Sequence, residues 1–191
     1  MCGRYQFTEP ENARLRRVIR ALKDKGEDWQ PGDIFPSGKA PVLVAAEGRV
    51  YARVMKWGMP GVQRLIFNAR AETAIKRPMF RSSFFSRRCV APSTGFYEWD
   101  GAKRQYLFRM GKSDAVYLAG LYDRYDGEDC FVILTTQPNA SVDEIHDRMP
   151  LVLEEKDVRG WLTEEETAKR LLEGRPPFLQ RAVTDGQLSF L

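Results

Sequence analysis

The apolar positions of this chain keep two rhythms. Leu15, Val18, Ile19 and Leu22 recur at helical spacing, and Arg14, Arg16, Arg17, Arg20 and Lys23 cover the other faces, so a helix with one buried side is predicted. Thr8 with Glu11 three residues on reads as its capping box, Pro10 suits its first turn, and Gly26 ends it. After a loop at 33–37, short apolar runs bounded by turn residues take over. Residues 41–46 and 49–55 read as a hairpin about Glu47-Gly48. The stretch 57–61 reads as loop, and 65–67 as a short buried strand. Strands at 89–92 and 96–99 flank a turn at 93–95, and further strands are predicted at 105–110, 116–122 and 130–136, the last preceded by an Asp126-Gly127 turn. Residues 138–141 are predicted to open a helix holding Val142 and Ile145. Residues 151–153 read as a strand, and 157–161 and 163–173 as helices, the second capped by Thr163 with Glu166. Pro176-Pro177 begins an extended tail.

Composition narrows the class. A chain of 191 residues, 43% hydrophobic and 29% charged, is expected to form one domain over 1–191, with 176–191 as its tail. No apolar run reaches the ~18 residues of a membrane span, and residues 1–20 carry no signal-peptide pattern, so a cytoplasmic protein is expected. The three cysteines, Cys2, Cys89 and Cys130, match no zinc spacing, and their odd number argues against a disulfide framework. Cys89 and Cys130 read as buried strand residues. One histidine excludes a multi-histidine metal site, and no metal or cofactor is expected. The net charge of +4 is compatible with a polyanionic partner.

Candidate chemistry begins at Met1-Cys2-Gly3-Arg4-Tyr5. A small residue after Met1 permits removal of the methionine, which would leave Cys2 with a free α-amine and a thiol on adjacent carbons. An aldehyde condenses with such an amine to an imine, and the thiol closes a thiazolidine. The two groups titrate near ~8 and ~8.5 in model compounds. The alternative is an incidental cysteine in a floppy terminus. Gly3 permits close backbone approach, and Arg4 adds a permanent cation. Asn68 and Arg70 sit where a strand would deliver side chains to a site. Glu98 lies between aromatics in a run expected to be buried, which would raise its pKa and suit it to general acid or base work; an outward-facing strand residue is the alternative. His146, between Ile145 and Asp147, could cap a helix or shuttle protons. Lys76, Arg77, Arg81, Arg87 and Arg88, interleaved with Phe80, Phe84 and Phe85, fit either a single-strand nucleic-acid surface or an amphipathic segment with its rings turned inward. Trp57 fits core better than a ligand platform.

Six stretches, taken in order, resemble the SRAP family, first described as SOS-response-associated peptidases and now understood as abasic-site processing proteins. They are 1–5; Trp57-Gly58; 68–73; 88–92 continuing to 95–99; 119–122; and 145–150. The resemblance implies an α+β fold with a largely antiparallel, barrel-like sheet and peripheral helices. It implies a monomer, nucleoid-associated on damage, that acts on single-stranded DNA containing abasic sites. Cys2 would form a thiazolidine cross-link with the ring-opened aldehyde, and self-processing could release Met1. Asn68 would orient the terminus or sugar, Glu98 would shuttle protons, and His146 would assist at the sugar hydroxyls. Gly3, Arg4, Pro36, Trp57, Arg70, Arg77 and Arg148 match DNA-contacting positions. Asp33 stands where the family usually has asparagine, and Val62-Gln63 where a tryptophan is common. The terminal Gln187-Leu188-Ser189-Phe190-Leu191 resembles a sliding-clamp peptide with its last two residues swapped, and either self-packing or clamp capture would bury it. Two other readings stay open: a cysteine hydrolase using Cys2 and His146, and a non-catalytic single-strand binder.

Overall fold

A computed structural model describes residues 2–8, 10–111 and 114–184. In chain order its elements are β1 (Tyr5–Phe7), α1 (Ala13–Asp24), β2 (Gly32–Ile34), β3 (Lys39–Ala46), β4 (Arg49–Trp57), β5 (Met59–Pro60), β6 (Leu65–Ile66), β7 (Asn68–Arg70), α2 (Ala71–Ala74) and α3 (Pro78–Ser86). There follow β8 (Arg88–Ser93), β9 (Gly95–Trp99), β10 (Gln105–Arg109), β11 (Val116–Tyr125), β12 (Glu128–Thr136), β13 (Met149–Pro150), β14 (Val152–Leu153), α4 (Val158–Thr163), α5 (Glu165–Glu173) and β15 (Gln180–Thr184).

Five strands close on themselves. β4 pairs β3, β3 pairs β8, β8 pairs β11, β11 pairs β12, and β12 returns to β4. All these pairings are antiparallel except β12 with β4. Two tight hairpins make the closure local in sequence. Glu47-Gly48 and Asp126-Gly127 both hold left-handed backbone at each centre, the geometry that matches strand twist in a two-residue turn. Inside the ring lie buried apolar residues such as Val42, Leu118, Phe131 and Ile133. Trp161 of α4 plugs one side, its indole N–H donating to the Cys89 carbonyl at 2.9 Å.

A second sheet, ordered β15-β10-β9-β1-β2, grows out of the first. β8 and β9 are one run broken only at Thr94, whose N–H turns away to the Gln6 carbonyl at 2.7 Å. The expected α+β architecture with a mainly antiparallel barrel is therefore found. Cys89 and Cys130 are buried strand residues as predicted.

Several local expectations are corrected. α1 is capped by Asn12, whose side chain accepts from the N–H groups of Arg14 and Leu15. Thr8 is drawn off instead to Thr94 across the second sheet. Residues 140–145 form turns, because the Asn139 side chain takes up the Ser141 N–H and hydroxyl and clips onto the Pro176 and Pro177 carbonyls. Thr163 bonds back to the Arg159 carbonyl, and α5 has no side-chain cap. The loop read at 57–61 contains the end of β4 and the small strand β5, paired with β6. Within the extended tail from 176, residues 180–184 form a strand paired with β10, which the sequence reading did not assign. Residues 187–191 lie outside the described residues.

One position tests ring closure. A Cβ on Gly120 would stand 2.6 Å from the Val132 carbonyl oxygen and 3.0 Å from the Cys89 sulfur. Both are fixed by strands on either side of β11, so Gly120→Ala should destabilise the fold by ~1–3 kcal/mol in urea unfolding. Gly101→Ala, with open space around it and no left-handed backbone, serves as the control.

Candidate functional site

The site lies where the second sheet leaves the barrel. β1 carries Cys2 just ahead of it, β7 presents Asn68, β9 presents Glu98, and the segment between β12 and β13 presents His146. Each element is placed by pairing: β9 against β1, and β7 against β12 with Asn68 opposite Ile133.

Cys2 is fully buried, which excludes a floppy terminus. The Asn68 side-chain amide donates to the Cys2 carbonyl at 2.8 Å. The thiol donates to the Arg4 carbonyl at 3.7 Å. Burial, with the Glu98 carboxylate adding to it, pushes the thiol far above its usual range. It is therefore a neutral S–H at physiological pH, unlike the partly ionised thiol of a free aminothiol. Among the described residues, Asn68 Oδ1 and the buried Tyr5 hydroxyl have no hydrogen-bond partner.

Glu98 is 1% exposed, and burial raises its carboxyl to about 7, with Asp147 contributing in the same direction. The expectation of a buried, raised carboxyl rather than an outward strand residue is met. His146 does not end a helix. Its Nε2 stands 3.9 Å from the Glu98 carboxylate. Its Nδ1 accepts the Arg148 backbone N–H at 3.0 Å, which assigns the neutral proton to Nε2, facing Glu98. Nδ1 is also 2.9 Å from an Asp147 oxygen, a contact that needs a proton on Nδ1, as in the imidazolium or the other neutral tautomer. Because burial lowers the His146 pKa and Asp147 is highly exposed, the neutral Nε2–H tautomer governs at neutral pH.

The residues expected around DNA divide. Arg70 and Arg77 are exposed, Gly3 and Pro36 are half-buried, and Arg4 is engaged with Asp33. Two expectations are corrected. Trp57 is fully buried between Tyr5, Phe67 and Phe131, its indole N–H donating to the Phe67 carbonyl at 2.8 Å, so it offers no face to DNA. Arg148 is buried, with one terminal nitrogen on each Glu72 oxygen and a bond to the Thr135 carbonyl, so both terminal nitrogens are engaged and only its buried Nε is without a partner among the described residues. The basic–aromatic segment divides: Lys76, Arg77, Arg81 and Phe85 are exposed, while part of it turns inward. Phe80 and Phe84 are core, and Arg88 is buried against the Phe84 and Trp161 carbonyls. Glu72, Tyr97 and Gln6 were not singled out from the sequence, since each acts only through a partner brought from elsewhere in the chain.

A buried thiol, a raised carboxyl and a neutral imidazole at a barrel–sheet junction define a cysteine-centred α+β protein. The chain belongs to the SOS response associated peptidase (SRAP) family, whose family model matches residues 1–184. It is 28% identical over 184 residues to the abasic site processing protein YoqW of Bacillus subtilis, covering 87% of this chain and 82% of that one. It is 27% identical over 187 residues to abasic site processing protein YedK of Escherichia coli, covering 91% and 84%. It is also 27% identical to abasic site processing protein HMCES of Xenopus tropicalis, covering 85% and 66%. A Bacteroides thetaiotaomicron crystal structure superposes with a TM-score of 0.76 at 22% identity, covering 97% and 93%, and supports the fold.

The raised Glu98 pKa has a defined sign. A carboxyl at about 7 in the fold and near 4.5 unfolded contributes stability below pH ~4.5 that is lost as pH rises through ~7. Glu98→Gln lacks this loss. At pH 8 it should unfold at higher denaturant than wild type, by up to ~3 kcal/mol at ~1.4 kcal/mol per pKa unit, and the gap should narrow to under ~1 kcal/mol by pH 5 and close below pH ~4. A pH series of urea melts that stays parallel for the two proteins would refute the assignment.

Proposed function

We propose that this chain captures ring-opened abasic sites in single-stranded DNA through Cys2. The observation that carries the reading is the 2.8 Å hydrogen bond from Asn68 to the Cys2 carbonyl, which fixes the second residue of the chain beside a buried proton carrier. The names of the relatives, all abasic site processing proteins, support the substrate class.

With Met1 removed, the Cys2 α-amine attacks the abasic aldehyde. The carbinolamine loses water to give an imine. The thiol adds to the imine carbon, and its proton passes to nitrogen. The balance is aminothiol plus aldehyde to thiazolidine plus water. A carboxyl titrating near 7 can protonate the departing hydroxyl and then, as carboxylate, accept the thiol proton. This relay matters because the thiol is neutral at rest. Asn68 holds the Cys2 carbonyl through its amide nitrogen, which leaves Oδ1 to accept from the amine or sugar. His146, with Nε2–H toward Glu98, serves the sugar hydroxyls or reprotonates Glu98. Exposed Arg70 and Arg77 carry the phosphate contacts. The orientation of the imidazole toward Glu98 rather than the thiol, which bonds to the Arg4 carbonyl, tells against a Cys–His hydrolase.

The test is a denaturing gel of untagged protein with single-stranded DNA bearing one abasic site. Wild type should give an SDS-resistant shifted band. Cys2→Ser and a form with residues added before Cys2 should give none. Asn68→Ala should slow band formation by roughly tenfold, the rate equivalent of losing one hydrogen bond. No band from wild type lacking Met1 by mass would end the reading.

A further inference from the structure

Arg4 is the cation closest in sequence to Cys2, and it is already occupied. Its Nε donates to Asp33 Oδ2 at 2.9 Å, and its Nη2 contacts the same oxygen. The guanidinium lies over the Tyr97 ring at 4.4 Å and faces Phe35 at 5.2 Å, a ring that is 52% exposed. The Tyr97 hydroxyl donates to the other Asp33 oxygen at 3.2 Å and accepts from Gln6 at 3.0 Å. The Arg4 and Asp33 side chains each keep about a quarter of their surface, 26% and 24%. The pair is thus held by several partners and still reachable from solvent.

We propose that Asp33 is a specificity-determining residue that stands in for a DNA phosphate at Arg4. The inference deepens the proposed function and rests on it. A carboxylate and a phosphodiester present the same kind of anionic acceptor to a guanidinium. The edge of Arg4 that Asp33 fills cannot hold both, and a phosphate drawn to it also meets a like charge. An intact strand, retained by phosphate contacts alone, is held more weakly by one contact. A strand carrying an aldehyde has a second means of retention, the covalent bond to Cys2, which does not depend on that contact. Asp33 therefore biases the site against undamaged DNA. The exchange is feasible because both groups touch water, so neither is left as a buried unpaired charge when they part.

The measurement is fluorescence anisotropy with an intact, fluorescein-labelled oligothymidylate across a salt series. Untagged wild type, Asp33→Asn, Arg4→Gln and the double variant are compared. Asn retains a hydrogen-bond acceptor and removes the charge. Asp33→Asn should bind about tenfold more tightly at low salt, and its slope of log K against log salt should steepen by about 0.7, one single-strand phosphate. The gain should vanish in the Arg4→Gln background. Binding no tighter than wild type, or an equal gain without Arg4, overturns the inference. Should thermal melting find Asp33→Asn unfolded, Asp33→Ser is held to the same criteria. Covalent capture of abasic DNA without any binding gain removes this inference alone. Failure of both binding and capture by wild type removes the reading beneath it.

Discussion

A strand has two edges, and β12 fills both. One edge runs antiparallel with β11 from Gly120↔Ile133 to Tyr125↔Glu128. Beyond that register the same edge takes β13 at Thr135↔Pro150, while the other edge is shared in turn by β4 and β7. The chain leaves that edge at Trp57 and rejoins it at Asn68, and the excursion between must start and finish within a few ångströms. Gly58, at φ +123°, makes the departure while its N–H stays on the Phe131 carbonyl at 2.8 Å. The Trp57 indole ties the far end by its bond to Phe67, and Ile133 N–H meets the same Phe67 carbonyl at 3.0 Å. The buried Trp57-Gly58 pair therefore shapes the site from below: it fixes where β7 begins, and hence where the Asn68 amide points.

The sequence carries the strands well because a buried barrel needs short apolar runs, and the two Gly-containing turns declare their hairpins. It misleads where a local signal competes with a distant partner. Thr8 and Glu11 make as good a capping box on paper as Asn12 makes a cap, and Thr94, far along the chain, decides between them. β15 lacks any alternation because nearly all of it is exposed; pairing with β10, not burial, makes it a strand. Among site residues, Cys2, Asn68, Glu98 and His146 were each visible as chemistry at the end of an element. Their assembly into one site was an economical reading of those residues, and the family resemblance gave each of them its role. What their surroundings do to them was less visible: that burial would hold the thiol protonated, or that Arg148 would be consumed by Glu72, depends on neighbours tens of residues away.

Burial at this site acts on two acids in the same direction. The Cys2 thiol and the Glu98 carboxyl are both held toward their protonated forms by removal from water, and the Glu98 charge adds to the thiol's cost of ionising. The thiol cannot lose its proton to bulk solvent, so its reactivity must be switched on by a neighbour. A carboxyl poised near 7 is such a neighbour, because it holds and releases a proton at nearly equal cost at physiological pH. Burial thus protects the thiol from casual oxidation and alkylation, both of which require thiolate, while leaving a route to nucleophilic addition that opens when substrate brings its own groups to Glu98.

The two arginines nearest this centre illustrate how environment divides one residue type into two tasks. Arg148 and Arg4 are each bound to a carboxylate within the chain. Arg148 is 7% exposed and meets Glu72 with two parallel bonds plus the Thr135 carbonyl. Withdrawing Glu72 would leave a buried guanidinium short of partners, so this pair is structural, and through the Arg148 N–H it fixes the His146 tautomer. Arg4 meets a single Asp33 oxygen, stacks on Tyr97, and retains access to water. Parting this pair leaves neither charge in the full burial that Arg148 meets. Burial, rather than the presence of an ion pair, is what separates an arginine that builds the site from one that can answer to a ligand.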